Sequence, residues 1–195
     1  MKKSFFTLLL GLGVAFGANI QTLTQQCEAN NANACVDLGA AYSWGKGVPT
    51  NHKKAFELFQ KACDLGSAAA CNDVGFFYEK GEDLTAGVAK DSSKAFAFYK
   101  KACDMGSALG CFNVGTMYLK GEDVAKDLSK AFTLLRKACD MGAADGCVNL
   151  SVVYYKGEGV KKDINAAKNY SKKACSMGDQ TGCDNYKIML RQGGR

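Results

Sequence analysis

The chain has 195 residues, 23% of them charged and 47% hydrophobic, with 10 cysteines, one histidine and a formal net charge of +6. A balance this mild serves solubility and gives no reason to expect nucleic acid or an anionic lipid surface as a partner. The lone histidine, His52, leaves no pair of histidines for a metal and confines any His-dependent catalysis to one position.

The N-terminus runs Met1-Lys2-Lys3, then an apolar stretch from Phe5 to Phe16 with small residues at Ala15, Gly17 and Ala18. This is the three-part layout of a secretory signal peptide, and its apolar run is too short to span a bilayer. Cleavage after Gly17 puts the small Ala15 at the minus-three position, so a signal peptide is expected over 1–17 and a single repeat body over 18–195. A secreted or periplasmic location follows, with no stable membrane anchor, where cysteines are expected to be oxidised.

From Cys27 onward the cysteines set a ruler. Cys27/Cys35, Cys63/Cys71, Cys103/Cys111, Cys139/Cys147 and Cys175/Cys183 stand eight apart and recur every 36 residues, with one 40-residue step. A fixed period of this length marks a stacked repeat, in which each unit buries its apolar face against its neighbours. Four full units are expected, about 35–63, 71–103, 111–139 and 147–175, between half-repeat caps: a short polar helix before Cys27 and a lone helix from Asp184 to Gln192.

Each unit opens with a helix, here called helix A, carrying an apolar residue and a tyrosine four apart on one face: Leu38/Tyr42, Val74/Tyr78, Val114/Tyr118 and Leu150/Tyr154. The small residue between them, Gly39, Gly75, Gly115 or Ser151, costs helix propensity, and its recurrence predicts a neighbour packed too close for a side chain. Helix A is expected to stop at Gly45, Gly81, Gly121 and Gly157. A polar loop follows, longer by four residues in the second unit, and Asn51, Asp91, Asp127 and Asp163 then sit where an N-cap is needed. Helix B carries Ala55/Phe59, Ala95/Tyr99, Ala131/Leu135 and Ala167/Ser171, and ends before Gly66, Gly106, Gly142 and Gly178. The predicted fold is all-α, a tetratricopeptide-like solenoid of αα-hairpins.

Ten cysteines leave about 900 complete pairings open by count alone. The repeat removes most of that ambiguity: the first cysteine of each pair lies on the last turn of helix B and the second on the first turn of the next helix A, which a tight turn brings face to face. Five bridges, Cys27–Cys35, Cys63–Cys71, Cys103–Cys111, Cys139–Cys147 and Cys175–Cys183, are therefore expected. At about 2.5 kcal/mol each on the chain-entropy model, they total about 12 kcal/mol, comparable with a domain's net stability. The cysteines read as structural staples. They are not spaced as a zinc site or a Cys-x-x-Cys redox pair, so no metal and no cofactor is expected.

The small residue between an apolar residue and Tyr, followed by Ala and an aromatic four apart, resembles a tetratricopeptide pattern. The 36-residue period and the Lys-Ala near the end of helix B resemble its Sel1-like subclass. Two cysteines per repeat behind a signal peptide resemble, over residues 27 to 183, the Helicobacter cysteine-rich protein family. The fourth unit departs from the pattern with Ser151, Lys168 and Ser171, which predicts looser outer packing there.

That resemblance implies penicillin binding and slow β-lactamase activity. The one S-x-x-K motif, Ser43-Trp44-Gly45-Lys46, includes the helix-ending glycine and has no S-D-N or K-T-G companion, so no catalytic residue is identified. A binding surface has more support. In tetratricopeptide-like solenoids helix A lines the concave face, and a polar residue two places before the small residue often bonds a bound peptide's backbone. Here that register holds Asp37, Asp73, Asn113, Asn149 and Asn185. An amide carries both donor and acceptor, as the peptide group does, although hydrogen bonding within the solenoid is the competing role for this ladder. Neighbouring helix-A residues Asn72, Phe76, Glu79, Lys80, Phe112, Lys120, Tyr155 and Lys156 are candidates for the same groove. The expected partner of a monomer is a peptide or protein segment, and the resemblance adds cell-wall muropeptides and β-lactams.

Overall fold

The computed structural model describes residues 20–81, 87–121 and 123–192, so the expected signal peptide lies outside the described residues. The described residues are helical wherever they are regular. A helical stretch over 20–28 (α1) is followed by α2 (Ala32–Trp44), α3 (His52–Asp64), α4 (Ala68–Lys80), α5 (Ser92–Asp104), α6 (Ala108–Lys120), α7 (Leu128–Asp140), α8 (Ala144–Lys156), α9 (Ile164–Ser176) and α10 (Gln180–Gln192). Even-numbered helices are helices A and odd-numbered ones helices B. The chain divides into two compact units, one ending at Asp91 and one beginning at Ser92.

Local signals set the helix limits. The carboxamides of Asn31 and Asn51 and the carboxylates of Asp127 and Asp163 accept from backbone N–H groups three residues on, at 2.9 to 3.1 Å, which satisfies donors that a helix start leaves bare. Ser67 and Ser107 do the same for α4 and α6. Helices A stop at Gly45, Gly81, Gly121 and Gly157. At Gly121, φ is 73° and a Cβ would come within 2.7 Å of the Lys126 Cβ, so both conformation and space call for glycine.

The turn from helix B to helix A takes three residues. After α3, the backbone N–H of Ser67 bonds the Ala62 carbonyl at 2.9 Å, folding the chain back and setting Cys63 beside Cys71. All five disulfides join consecutive helices, with Cα atoms 4.4 to 4.7 Å apart, and none of the ten cysteines is free. Most of these cysteines are fully buried, so the staples form part of the core they tie together.

The Lys-Ala-Cys run of helix B has a structural explanation. In the first unit, Lys61 on α3 reaches back to donate to the Cys27 carbonyl at the end of α1, at 2.7 Å. In the second unit, Lys137 on α7 donates to the Cys103 carbonyl of α5 at 3.2 Å. Each lysine adds a second donor to a carbonyl that already accepts a turn N–H, that of Asn30 or Gly106, and brings a cation to the negative end of the preceding helix B. Lys173 instead pairs with Asp140 at 2.9 Å.

Inside the hairpins the small residue of helix A faces the bulky residue of helix B. A Cβ on Gly39 would lie 2.9 Å from the Phe59 ring, and one on Gly115 would lie 3.0 Å from Leu135 Cγ. The interior of the fourth repeat is closed despite its small residues. Ser151 and Ser171 are both 0% exposed, and their hydroxyls share a 2.6 Å hydrogen bond. The side chain gained on α8 occupies what α9 gave up, and no buried side-chain polar atom among the described residues lacks a partner.

Tyrosines of helix A continue the packing. Phe56 meets Tyr78 edge-on in the first unit, and Phe96 meets Tyr118 and Phe132 meets Tyr154 in the second, all with centroids 5.5 Å apart.

Candidate functional site

The ladder register lies two residues after the second cysteine of each bridge, so the disulfide fixes the turn of helix A from which each side chain projects. In the first unit, Asp37 on α2 is exposed, whereas Asp73 on α4 is half-buried. Burial pushes the Asp73 carboxyl up to about 6, and a hydrogen bond with the Asn72 side chain opposes that rise. The first unit therefore offers two acids of unlike environment.

In the second unit, Asn113, Asn149 and Asn185 stand half-buried on α6, α8 and α10. The Asn149 amide nitrogen donates to Thr116 Oγ1, one turn beyond Asn113, at 3.4 Å. That bond uses one of the amide's two N–H groups, which leaves it a second donor and a carbonyl oxygen. The ladder residue thus has a role inside the repeat array, as the competing reading expected, with hydrogen-bonding capacity to spare.

Asn185 lines a pocket of about 210 Å³ together with Val152 and Tyr155 of α8 and Ile188 and Met189 of α10. Ile188 is 49% exposed, so the apolar wall is open to a ligand. The pocket sets one amide beside an apolar hollow, the combination that fixes a backbone with polar groups and holds a side chain by burial. Val152, Ile188 and Thr116 were absent from the sequence reading, although each follows a ladder asparagine by three residues and so shares its face.

The neighbouring candidates separate. Phe112, partly buried, packs against two buried clusters of the second unit, which include Cys111, Cys139, Cys147 and Leu150. Tyr155 belongs to the pocket, with the Lys162 ammonium 5.5 Å from its ring centre. Phe76 is 42% exposed under the Lys80 ammonium, itself 3.4 Å from Glu79. Lys156 pairs with Glu158 at 3.4 Å, and Lys120 is exposed.

The S-x-x-K spacing builds no nucleophile. That motif needs serine and lysine on one helix face, but α2 ends at Trp44 and the left-handed Gly45 turns the chain away before Lys46. His52 is the first residue of α3, at a helix start. Among the described residues no cluster of three or more His, Cys, Asp or Glu could hold a metal. No helix among them is long and apolar enough to cross a membrane.

The Sel1 repeat model matches residues 32–67, 68–107, 108–142 and 144–179. Among solved structures, the fold is similar to a protective antigen present in uropathogenic Escherichia coli strains that displays an SLR fold. That match has 29% identity and a TM-score of 0.80, and it covers 89% of this chain but only 36% of the antigen's chain. A Sel1 repeat protein from Oxalobacter formigenes is 26% identical, with a TM-score of 0.71 over 88% of this chain and 71% of that one. Helicobacter pylori cysteine rich protein B is 32% identical, with a TM-score of 0.52 over 68% of this chain and 92% of that one. No curated protein matches the chain at a significant level.

Proposed function

This chain belongs to the Sel1 repeat family, and from that premise we propose that it binds extended peptide or peptidoglycan-like ligands on the helix-A face of its repeats. Helical repeat arrays of this kind present extended surfaces to protein partners, and the array itself contributes rigidity. The observation that carries the reading is the pocket of Val152, Tyr155, Ile188 and Met189 with the Asn185 amide at its side. Asn149 and Asn113 extend the same register along the second unit, and Asp37 and Asp73 are its counterparts in the first.

Secretion or periplasmic residence fits the five disulfides, which persist in oxidising compartments. Recovery of the mature N-terminus from a periplasmic or culture fraction tests that placement.

The ligand test uses the oxidised protein with Asn149 and Asn185 both changed to Ala, titrated with a panel of peptides and muropeptides. Binding is expected to weaken by about tenfold or more. Unchanged affinity, with helicity and melting preserved, would assign the ladder to architecture alone.

A further inference from the structure

The second unit holds another hollow, about 350 Å³, on the side of its B helices, between α5 and α7 with α6 as the floor. Its volume falls in the range of small-molecule sites, about 300–1,000 Å³. Phe96, Val114, Tyr118 and Leu134 make its apolar walls, and Lys100 and Lys130 stand among its polar groups. Both lysines are exposed and pair with Asp104 at 2.6 Å and Asp127 at 3.0 Å.

One repeat further on, the chain fills the equivalent place itself. Tyr170, 36 residues after Leu134, stacks on Tyr154, 36 residues after Tyr118, with centroids 5.6 Å apart and planes 11° from parallel. The edge contact corresponds: Phe132 meets Tyr154 edge-on as Phe96 meets Tyr118. Six of the ten lining positions differ in the fourth repeat, and two of them decide whether a ring lies on the tyrosine. Tyr170 is replaced by Leu134, which packs against the Cys103 and Cys111 cluster and brings no ring to Tyr118. Ala166 is replaced by Lys130, whose ammonium lies 5.2 Å from the Tyr118 ring centre.

We propose that this hollow binds a planar aromatic ring, phenyl or phenol, stacked on Tyr118 as Tyr170 stacks on Tyr154. Aromatic pairs favour offset-stacked geometry, and the neighbouring repeat shows that a tyrosine at this register, held edge-on by the same phenylalanine, accepts a stacked ring. Lys130 is no obstacle, because a solvated lysine is held weakly by an exposed ion pair and can move to cap the incoming ring. The ring can arrive on a free small phenol or on a peptide side chain. This site stands apart from the helix-A pocket and does not depend on it.

The test follows NMR shifts of the oxidised protein during titration with p-cresol and with 4-methylcyclohexanol, its saturated counterpart. Shifts are expected at Phe96, Tyr118 and Leu134 with p-cresol, and about tenfold weaker binding with the saturated ring. The variant K130A/L134Y writes the fourth repeat's pair into the third and should lose p-cresol binding while keeping its melting temperature. Tyr118→Leu, a second variant should that one misfold, should abolish the preference for the aromatic probe. A Tyr-containing pentapeptide binding tighter than p-cresol would make the source a polypeptide, and weaker binding would make it a free phenol; both support the site. No shift at Tyr118, equal binding of the two probes, or undiminished binding by a folded K130A/L134Y would overturn it.

Discussion

The third and fourth repeats share one cysteine ruler and one backbone plan, yet they fill their interiors by opposite means. In the third, Gly115 withdraws to admit Leu135, and Leu134 brings no ring to the face of Tyr118, which the exposed Lys130 ammonium overlies. In the fourth, Ser151 grows into space that Ser171 vacates, and Tyr170 covers Tyr154. Between these two repeats, then, a gain on helix A goes with a loss on helix B. The pair also shows where a hollow comes from: the third repeat lacks a ring that its neighbour supplies from its own chain.

The largest expected effect breaks the serine pair. Ser171→Leu should cost about 3 kcal/mol, because leucine overpacks a filled site and leaves the Ser151 hydroxyl buried without a partner. Adding Ser151→Gly recreates the third repeat's arrangement and should recover most of that loss in a urea melt. If the double variant is no more stable than the single one, volume exchange across α8 and α9 is the wrong account.

A second comparison sets the acids of the first unit against the amides of the second. The Asp73 carboxyl titrates at about 6 when folded, against 3.8 ordinarily, so within that window the folded state binds the extra proton. Stability should therefore rise as pH falls from about 6 towards 3.8, and the gain is lost as pH rises through that folded value. Asp73→Asn should flatten this slope and raise stability at neutral pH, as read from denaturant midpoints across the window. A slope unchanged by the substitution would place its origin elsewhere.

The smallest effect concerns helix starts. Ser107 caps α6, whereas Ala143 precedes α8 with no side-chain bond. Ala143→Ser should add about 1 kcal/mol, and Ser107→Ala should remove about as much, measured by the same melts. A change in neither would mean that burial at these turns outweighs capping.

The residues by themselves determined the period, the helical hairpin and the stop glycines, and narrowed the cysteine pairing to an expectation. These are local features, set by sequence separations of eight and 36 and by backbone chemistry within one turn. The register of Asp37, Asp73, Asn113, Asn149 and Asn185 was legible for the same reason, since a repeat carries a helix face forward unchanged. What those side chains meet was not. The Thr116 partner of Asn149, the grouping of Val152 and Ile188 around Asn185, and the packing of Phe112 depend on contacts across helices. Only tertiary packing decided that Ser151 and Ser171 compensate each other, and that Leu134 leaves the hollow that Tyr170 closes, because volume is a property of neighbours and not of a position.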